Sequence, residues 1–179
     1  MKRARDSSDI APYLGDESRW EGGHAEEVAF PASAEEASEL LADCAREGRS
    51  VTVSGGGTGV AAGRVPRGGV VLASERMNRV LQPPAAAGDG SGTGRMRVQC
   101  GVSLADVQRI AAEHGWHYPP DPTETGCALG GTLATNASGA RTFRFGPTRR
   151  WVTAVRVALA DGSLLDVPRG RCVARDGRF

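Results

Sequence analysis

Residues 51 to 59 read Val51-Thr52-Val53-Ser54-Gly55-Gly56-Gly57-Thr58-Gly59. A short apolar run with β-branched residues is typical of a strand, and here it leads directly into three consecutive glycines. Because glycine has no Cβ, successive backbone N–H groups can converge on one anion. The hydroxyls of Ser54 and Thr58 add two donors. The pattern predicts a strand that ends in an anion-binding loop, for which a diphosphate is the natural ligand.

Two familiar phosphate-binding motifs do not match this loop. A Walker loop ends in Gly-Lys-Ser/Thr, and residues 51–63 contain no lysine. A Rossmann fingerprint starting at Gly55 requires glycine at position 60, where this chain has Val60. A glycine-rich turn without any ligand is the alternative.

A second segment of small residues covers positions 119–139. It begins with Pro119-Pro120-Asp121-Pro122, whose prolines restrict the backbone to extended conformations. Glycine, alanine, serine and threonine then dominate up to Gly139, which suits a backbone held closely against a large, flat ligand. The rigid entry lowers the entropic cost of ordering the segment. A tightly packed loop without a ligand is the alternative.

The segments before and after the first glycine loop predict a βαβ unit. Glu27–Phe30 is a strand candidate, and a polar arm precedes it. Ser33 and Glu36 form a capping box that begins a helix, and Gly48 ends this helix. Residues 69–73 are a further buried strand candidate.

The rest of the chain predicts strands with one helix. Residues 83–94 are a low-complexity stretch that we expect to be an exposed, disordered loop. A helix begins at Ser103 and stops at Gly115. Asp161-Gly162 is a hairpin turn between two strands. This order of elements predicts an α+β fold with two small lobes.

The charge balance argues against a nucleic-acid-binding protein. The chain has 22 basic and 21 acidic residues and a formal net charge of +1, whereas nucleic-acid binding requires clustered excess positive charge. Four basic side chains gather near the second segment, and we interpret them as a solvated face or an anion contact: Arg141, Arg144, Arg149 and Arg150.

Metal binding and membrane insertion are not predicted either. The four cysteines form no C-x-x-C pair and the three histidines have no ligand companions, so we expect reduced thiols and no metal site. These residues are Cys44, Cys100, Cys127 and Cys172, and His24, His114 and His117. Without a signal peptide or a long apolar run, a cytoplasmic location is the default expectation.

Taken together and in this order, the motifs resemble the FAD-binding domain of the vanillyl-alcohol oxidase and p-cresol methylhydroxylase superfamily. Within it they are most similar to the glycolate oxidase and D-lactate dehydrogenase branch, and less so to the cell-wall precursor reductase branch. Each motif is weak alone, whereas the ordered series is specific. The matching positions are 54–59, 64–72, 76–78, 101–102, 119–122, 130–131, 134–139, 145–146, 148–149 and 157–162.

The resemblance implies a two-lobed FAD-binding fold of the PCMH type, with a small βαβ lobe and a larger lobe of mixed or antiparallel sheet. The first loop would hold the FAD diphosphate, and the second segment would line the diphosphate, the ribose and then the flavin. Some relatives attach FAD to a histidine where this chain has Thr58, so non-covalent FAD is expected. The implied cofactor-binding residues are Ser54, Gly55, Gly56, Gly57, Thr58, Gly59, Pro122, Thr123, Gly126, Cys127, Ala128, Gly130, Gly131, Thr135, Asn136, Ala137 and Ser138.

The resemblance also sets expectations about organisation and activity. It divides the chain into an arm at 1–25, a first FAD-binding subdomain at 26–75 and a second at 76–179. In the family a further glycine-rich strand and a cap domain follow, so we expect the chain to be truncated and inactive alone, and we assign no catalytic residue. The parent reaction would be hydride transfer from a 2-hydroxy acid to FAD. A nonenzymatic flavin- or nucleotide-binding fragment that needs a partner chain is the alternative.

Overall fold

The computed structural model describes residues 1–171 of the chain. Its strands are β1 (Lys2–Ala4), β2 (Glu27–Phe30), β3 (Val51–Ser54), β4 (Val70–Ala73), β5 (Val80–Ala86), β6 (Gly94–Val98), β7 (Ala154–Ala158) and β8 (Leu164–Pro168). Its α-helices are α1 (Ser7–Ile10), α2 (Ala34–Glu47), α3 (Leu104–Glu113), α4 (Leu129–Thr135) and α5 (Thr142–Phe145). Short 3₁₀ turns occupy Ala11–Tyr13, Ser74–Arg76 and Thr148–Trp151.

The first four strands form one sheet in the order β1-β2-β4-β3. β4 is parallel to both β2 and β3, while β1 adds to the edge in antiparallel orientation. The connection from β2 to β3 runs through α2, which is the predicted βαβ unit. Every residue of β2 and β4 is buried, because both faces of these central strands are covered.

The two faces of this sheet are covered by different parts of the chain. On one face, α2 packs Ala37, Leu40 and Cys44 against alternate strand residues. On the other face, Ile10 and Tyr13 of the N-terminal arm pack against the remaining strand residues. The alternation follows from the two-residue period of a strand.

The predicted ends of α2 are confirmed. Ser33 Oγ accepts a hydrogen bond from the backbone N–H of Glu36 at 3.2 Å. The Glu36 carboxylate accepts in return from the N–H of Ala32 at 2.9 Å, one residue earlier than the usual capping box. Gly48 ends the helix in the left-handed conformation, with φ of 66°.

The polar arm predicted at residues 1–25 begins with a strand that was not predicted, β1, which extends the sheet. Charge explains the placement, because Glu27 is only 1% exposed and pairs with three arginines. Arg3 and Arg5 of the arm reach its carboxylate at 2.6 and 3.0 Å, and Arg49 reaches it at 3.2 Å. Burial opposes the ionisation of Glu27, but these partners outweigh it and lower the pKa of the carboxyl. Lys2–Ala4 thus joins the sheet through a contact that no local pattern reveals.

The expected loop at 83–94 is also shorter than predicted. β5 continues to Ala86 and pairs with β6 from Gly94, so that residues 87–93 alone connect the two strands. The prolines Pro83 and Pro84 fit because the pairing register shifts between Gln82 and Ala85, where an irregular ladder needs fewer N–H donors.

The last two strands form the predicted hairpin, with Asp161-Gly162 in its turn. This hairpin lies against α2, where Ser38 Oγ donates a hydrogen bond to the carbonyl of Gly162. Cys172, one of the four cysteines expected to be reduced, lies outside the described residues, as do positions 173–179.

Candidate functional site

The glycine loop begins at the end of β3, as predicted. Ser54 is fully buried, whereas Gly55 and Gly56 are exposed and Gly57 has a positive φ of 79°. In the described residues the backbone N–H groups of Gly56 to Gly59 donate to no other backbone group. Unpaired N–H groups at an accessible loop are available to a ligand.

The two glycine-rich segments meet at this loop. A Cβ added to Gly55 would lie 3.4 Å from the Cβ of Ala128. A Cβ added to Gly56 would lie 2.9 Å from the carbonyl oxygen of Gly126 and 3.3 Å from the backbone nitrogen of Ala128. The close approach therefore requires glycine at position 56, and it brings residues 54–57 against residues 126–128.

The second segment is fixed to the body of the protein through its backbone. The N–H of Leu129 donates to Val102 at 2.9 Å, and that of Gly130 donates to Cys100 at 2.7 Å. At its far end, Gly139 pairs with Pro122 and approaches Asp121 so closely that a Cβ would overlap the Asp121 carbonyl. The small residues at these positions thus serve close packing of backbone on backbone.

The glycine-rich stretch at 126–139, for which no helix was predicted, contains α4 at Leu129–Thr135. Two adjacent glycines, Gly130 and Gly131, disfavour a helix by about 1 kcal/mol each, which hides it from sequence patterns. The helix is set by its tertiary surroundings, because Gly130 lies against Cys100, where a Cβ would come within 2.8 Å.

Arg149 and Thr148 stabilise the C-terminal end of α4. The Arg149 guanidinium donates to the carbonyls of Leu133 and Ala134 at 3.0 and 2.7 Å, and its backbone N–H donates to the Asn136 side chain at 3.0 Å. Thr148 Oγ1 donates to Ala137 at 2.9 Å. The sequence predicted a solvated face or an anion contact for Arg149; the side chain is exposed, and in addition it caps α4.

Arg141, a second member of that basic group, pairs with Asp121 at 3.3 Å. Its Nη1 also lies 3.3 Å from the imidazole of His117. These contacts connect the chain after α4 to the proline-rich entry of the second segment, so that both ends of the segment are held together.

The predicted site residues fall into two groups. Of those at 54–59 and 122–128, Gly55 and Gly56 meet residues 126–128 where the loops touch, while Pro122 pairs with Gly139. Pro122, Cys127 and Ala128 are buried and Thr123 is exposed. Gly130, Gly131 and Thr135 lie within α4, which is about 10 Å long, and residues 136–138 follow it. Burial raises the pKa of the Cys127 thiol, so it is a neutral packing group at pH 7.

Arg64 is a residue at this site that sequence reasoning did not single out. Its guanidinium lies on the glycine loop and reaches the carbonyl of Gly55 at 3.5 Å. Together with Gly56, Gly57, Asp16 and Glu17, it lines a cleft of about 370 Å³ between the loop and the N-terminal arm. The only signal in the sequence is an arginine soon after the glycines.

The residues fit a dinucleotide cofactor. The loop offers unpaired backbone amides and a space beside Gly56 that a side chain would fill. Beside it, the Nε of Arg64 is buried and has no hydrogen-bond partner in the described residues. By contrast, residues 1–171 contain no group of three or more His, Cys, Asp or Glu side chains arranged to hold a metal ion. In the same part of the chain, no helix is both long and apolar enough to cross a membrane.

A fold of this kind, with two glycine-rich segments in contact and unpaired amides beside them, suits a nucleotide-binding domain. A family model described as an FAD binding domain matches residues 25–168. The chain therefore belongs to the FAD-binding domain family of flavoproteins. This result confirms the predicted family, the α+β fold and FAD as the cofactor.

Curated relatives include several 2-hydroxy acid enzymes. D-2-hydroxyglutarate dehydrogenase of Xanthomonas citri pv. viticola is 37% identical over 143 residues, which are 78% of this chain and 29% of that protein. D-lactate dehydrogenase of Archaeoglobus fulgidus is 32% identical, over 78% of this chain and 30% of that protein. Glycolate oxidase subunit GlcD of Escherichia coli is 33% identical, over 77% and 27% respectively. The chain thus spans less than a third of the length of these relatives.

Solved structures support the same fold. The chain is similar to 6-hydroxy-D-nicotine oxidase of Arthrobacter nicotinovorans, with a TM-score of 0.77 and 21% identity over 95% of this chain and 36% of that one. It is also similar to an alkyldihydroxyacetonephosphate synthase, with a TM-score of 0.79 and 18% identity over 96% and 33% respectively. At this level of identity the likeness concerns the fold alone.

Proposed function

We propose that this chain binds FAD without a covalent bond and is the FAD-binding portion of an oxidoreductase acting on a 2-hydroxy acid. The observation that carries the proposal is the contact between the Gly55–Gly56 backbone and residues 126–128, beside amides that donate to no other backbone group. The names of the relatives, which act on D-2-hydroxyglutarate, D-lactate and glycolate, support the substrate class.

Each group of residues has a distinct proposed role. The backbone amides of 54–59 hold the diphosphate, and residues 122–131 lie along the adjoining part of the cofactor. Thr135, Asn136, Ala137 and Ser138 lie along the flavin, in a position fixed by Thr148 and Arg149. Bound in this way, FAD would supply the hydride acceptor for oxidation of the substrate. The protein holds and orients the cofactor.

Non-covalent binding is supported by the side chains beside the loop. Thr58 carries a hydroxyl where a covalent link would require a stronger nucleophile, and the Cys127 thiol is buried with its pKa raised. Acid precipitation of the yellow protein should release all of the flavin to the supernatant. Flavin absorbance retained in the washed pellet would contradict this part of the proposal.

We also propose that the chain works with further protein that carries the substrate-binding groups. It spans less than a third of its relatives, one of which is named as a subunit. We place the boundary between the two FAD-binding lobes near residue 75, where the four-stranded sheet has ended and β5 has not yet begun. Co-purification of the chain with a cap-bearing subunit would support this, and rapid oxidation of 2-hydroxy acids by the chain alone would contradict it.

A glycine substitution tests the cofactor site directly. Gly56→Ala places a methyl group 2.9 Å from the Gly126 carbonyl, so the two segments must separate. We expect FAD affinity, measured by quenching of flavin fluorescence, to fall by about fivefold to 150-fold, for a displacement costing about 1–3 kcal/mol. Gly63→Ala is the matched control, since its Cβ would meet nothing within 4 Å. Equal affinities for the two variants would contradict the proposed site.

A further inference from the structure

Arg64 lies against the glycine loop in an incomplete set of contacts. A Cβ at Gly57 would overlap Nη1 of Arg64, so the guanidinium can lie here only because residue 57 has no side chain. Nη2 donates to the carbonyl of Pro12 in the arm, and Nη1 makes a long hydrogen bond of 3.5 Å to Gly55. Nε is buried and has no hydrogen-bond partner in the described residues. One donor of a partly buried cation is therefore left unsatisfied.

The charges around Arg64 do not balance it. Its guanidinium lies 5.8 Å from the ring of Tyr13, which provides a π face. Burial and the hydrogen bond to Glu75 raise the pKa of Tyr13 to about 12, so this phenol is neutral at pH 7. Among the described residues, Arg64 forms no ion pair within 4.0 Å. The carboxylate of Asp16 therefore acts on the guanidinium only as a more distant charge. Burial outweighs Asp16 and lowers the pKa of the guanidinium.

A buried charge is normally paired, because removing an ion from water is costly. Here the unpaired cation borders a cleft of about 370 Å³ that is also bordered by Gly56 and Gly57. The amides of these glycines donate to no other backbone group within the described chain. Cation and amides are both donors only, so together they suit an anion with several acceptor oxygens.

We infer that Arg64 is a ligand-binding residue that supplies the positive charge for the diphosphate of the bound dinucleotide. This inference rests on the proposed FAD-binding function. It adds a charged side chain to a diphosphate site that the proposal otherwise builds from backbone amides. Two carboxylates, Asp16 and Glu17, border the same cleft. A Cβ at Gly59 would lie 3.8 Å from Asp16 Oδ2, so Asp16 opposes an anion at this loop and makes the cation necessary.

The test compares four variants of the full chain, each first checked for folding by circular dichroism and thermal unfolding. Arg64→Gln removes the charge, and Arg64→Lys retains it without the guanidinium geometry. Arg67→Gln is the matched control, because Arg67 is exposed and contacts Trp20. Asp16→Asn removes the opposing charge while its side-chain oxygen can still accept from Ser18. Dissociation constants are measured for FAD, ADP and riboflavin at low and high salt.

Arg64→Gln should weaken FAD and ADP binding by about tenfold to a hundredfold, the usual effect of losing a hydrogen bond to a charged group. Riboflavin, which has no phosphate, should bind as it does to the unmodified chain. Arg64→Lys should recover part of the loss, and Arg67→Gln should have no effect. Asp16→Asn should tighten FAD binding by about threefold, with the effect reduced at high salt.

Three results would overturn the inference. One is unchanged FAD and ADP affinity in a folded Arg64→Gln variant, and another is an equal loss for riboflavin, which would make Arg64 a structural residue only. The third is weaker FAD binding in Asp16→Asn. If the unmodified chain binds ADP through Arg64 but not FAD, Arg64 binds a diphosphate as inferred, and it is the proposed flavoprotein function that fails. If it binds neither, both are wrong.

Discussion

The four-stranded sheet and the β7–β8 hairpin both contain apolar strand residues, but these differ in how deeply they are buried. In β2 and β4 all eight residues are buried, whereas in β7 and β8 most residues are exposed, including Val157, Leu164 and Leu165. The sheet has α2 on one face and the arm on the other. Among the described residues the hairpin packs mainly against α2, and it is held largely by surface groups such as the pair of Arg156 with Asp166 at 2.8 Å. The contribution of an apolar strand residue to stability thus depends on how many of the faces of its sheet are covered.

The same difference in burial also bears on the two candidate cofactor-binding segments, the glycine loop and the second segment. The glycine loop emerges from β3, which is paired along its length with the fully buried β4. The second segment is anchored by backbone hydrogen bonds to Cys100 and Val102. A cofactor site needs its donors held in fixed positions, and both segments therefore start from rigid parts of the chain.

The largest expected difference is between two leucines. Leu40→Ala removes a side chain that is 1% exposed between α2 and the sheet, and should lower the free energy of unfolding by about 3 kcal/mol. Leu165→Ala removes one that is 39% exposed on the hairpin, and should cost less than about 1 kcal/mol. Urea denaturation followed by circular dichroism measures both. Equal losses would mean that the hairpin carries a core of its own.

A smaller effect is expected from the buried carboxylate of the sheet. Glu27→Gln keeps the shape of the side chain but removes the charge that Arg3, Arg5 and Arg49 share, at a cost of about 2 kcal/mol at pH 7. The pKa of Glu27 is lowered in the native state, so the unfolded chain, with a carboxyl pKa of about 4.3, binds more protons as the solution becomes acidic.

The stability that Glu27 provides is therefore fully present above about pH 4.3 and is lost as the pH falls through its lowered native pKa. The difference in unfolding free energy between the unmodified chain and Glu27→Gln should be constant near neutrality and shrink in acid. Chemical denaturation from pH 7 to pH 3 measures it. A difference that grows in acid would show that the pKa of Glu27 is raised.

The smallest expected effects concern the two capping serines. Ser33 Oγ caps α2 at 3.2 Å and Ser103 Oγ caps α3 at 3.0 Å, so each Ser→Ala variant should lose about 1 kcal/mol. Equal losses are expected if the two helices unfold together in one transition. A second transition in Ser103→Ala alone, detected by thermal unfolding, would show instead that the parts of the chain around α2 and α3 unfold separately.

Local signals predicted much of the fold because they concern neighbouring residues. The strand at Glu27–Phe30, the cap at Ser33 and the stop at Gly48 depend on chain segments of a few residues, and all three are confirmed. The pairing of β1 was missed because it depends on Glu27, over twenty residues from Arg3 along the chain. The extension of β5 through Pro83 and Pro84 was missed because irregular pairing with β6 removes the usual objection to proline.

The candidate site divides in the same way. The glycines at 55–57 and the prolines before residue 123 could be recognised in the sequence, because their backbone preferences are intrinsic. The positions of Arg64 and Arg149 could not. An arginine side chain is long, and its direction depends on which carbonyls lie within reach. Arg64 reaches the carbonyls of Pro12 and Gly55. Arg149 reaches those of Leu133 and Ala134.

The sequence by itself determined the βαβ unit, the glycine loop, the proline-led second segment and, through their order, the flavoprotein family. Only the tertiary structure decided that Gly56 touches residues 126–128, that Leu129–Thr135 is a helix and that Arg64 faces the loop. The physical reason is range. Backbone propensities act within a few residues, whereas the packing of two backbones and the burial of a charge depend on segments that are far apart in the chain.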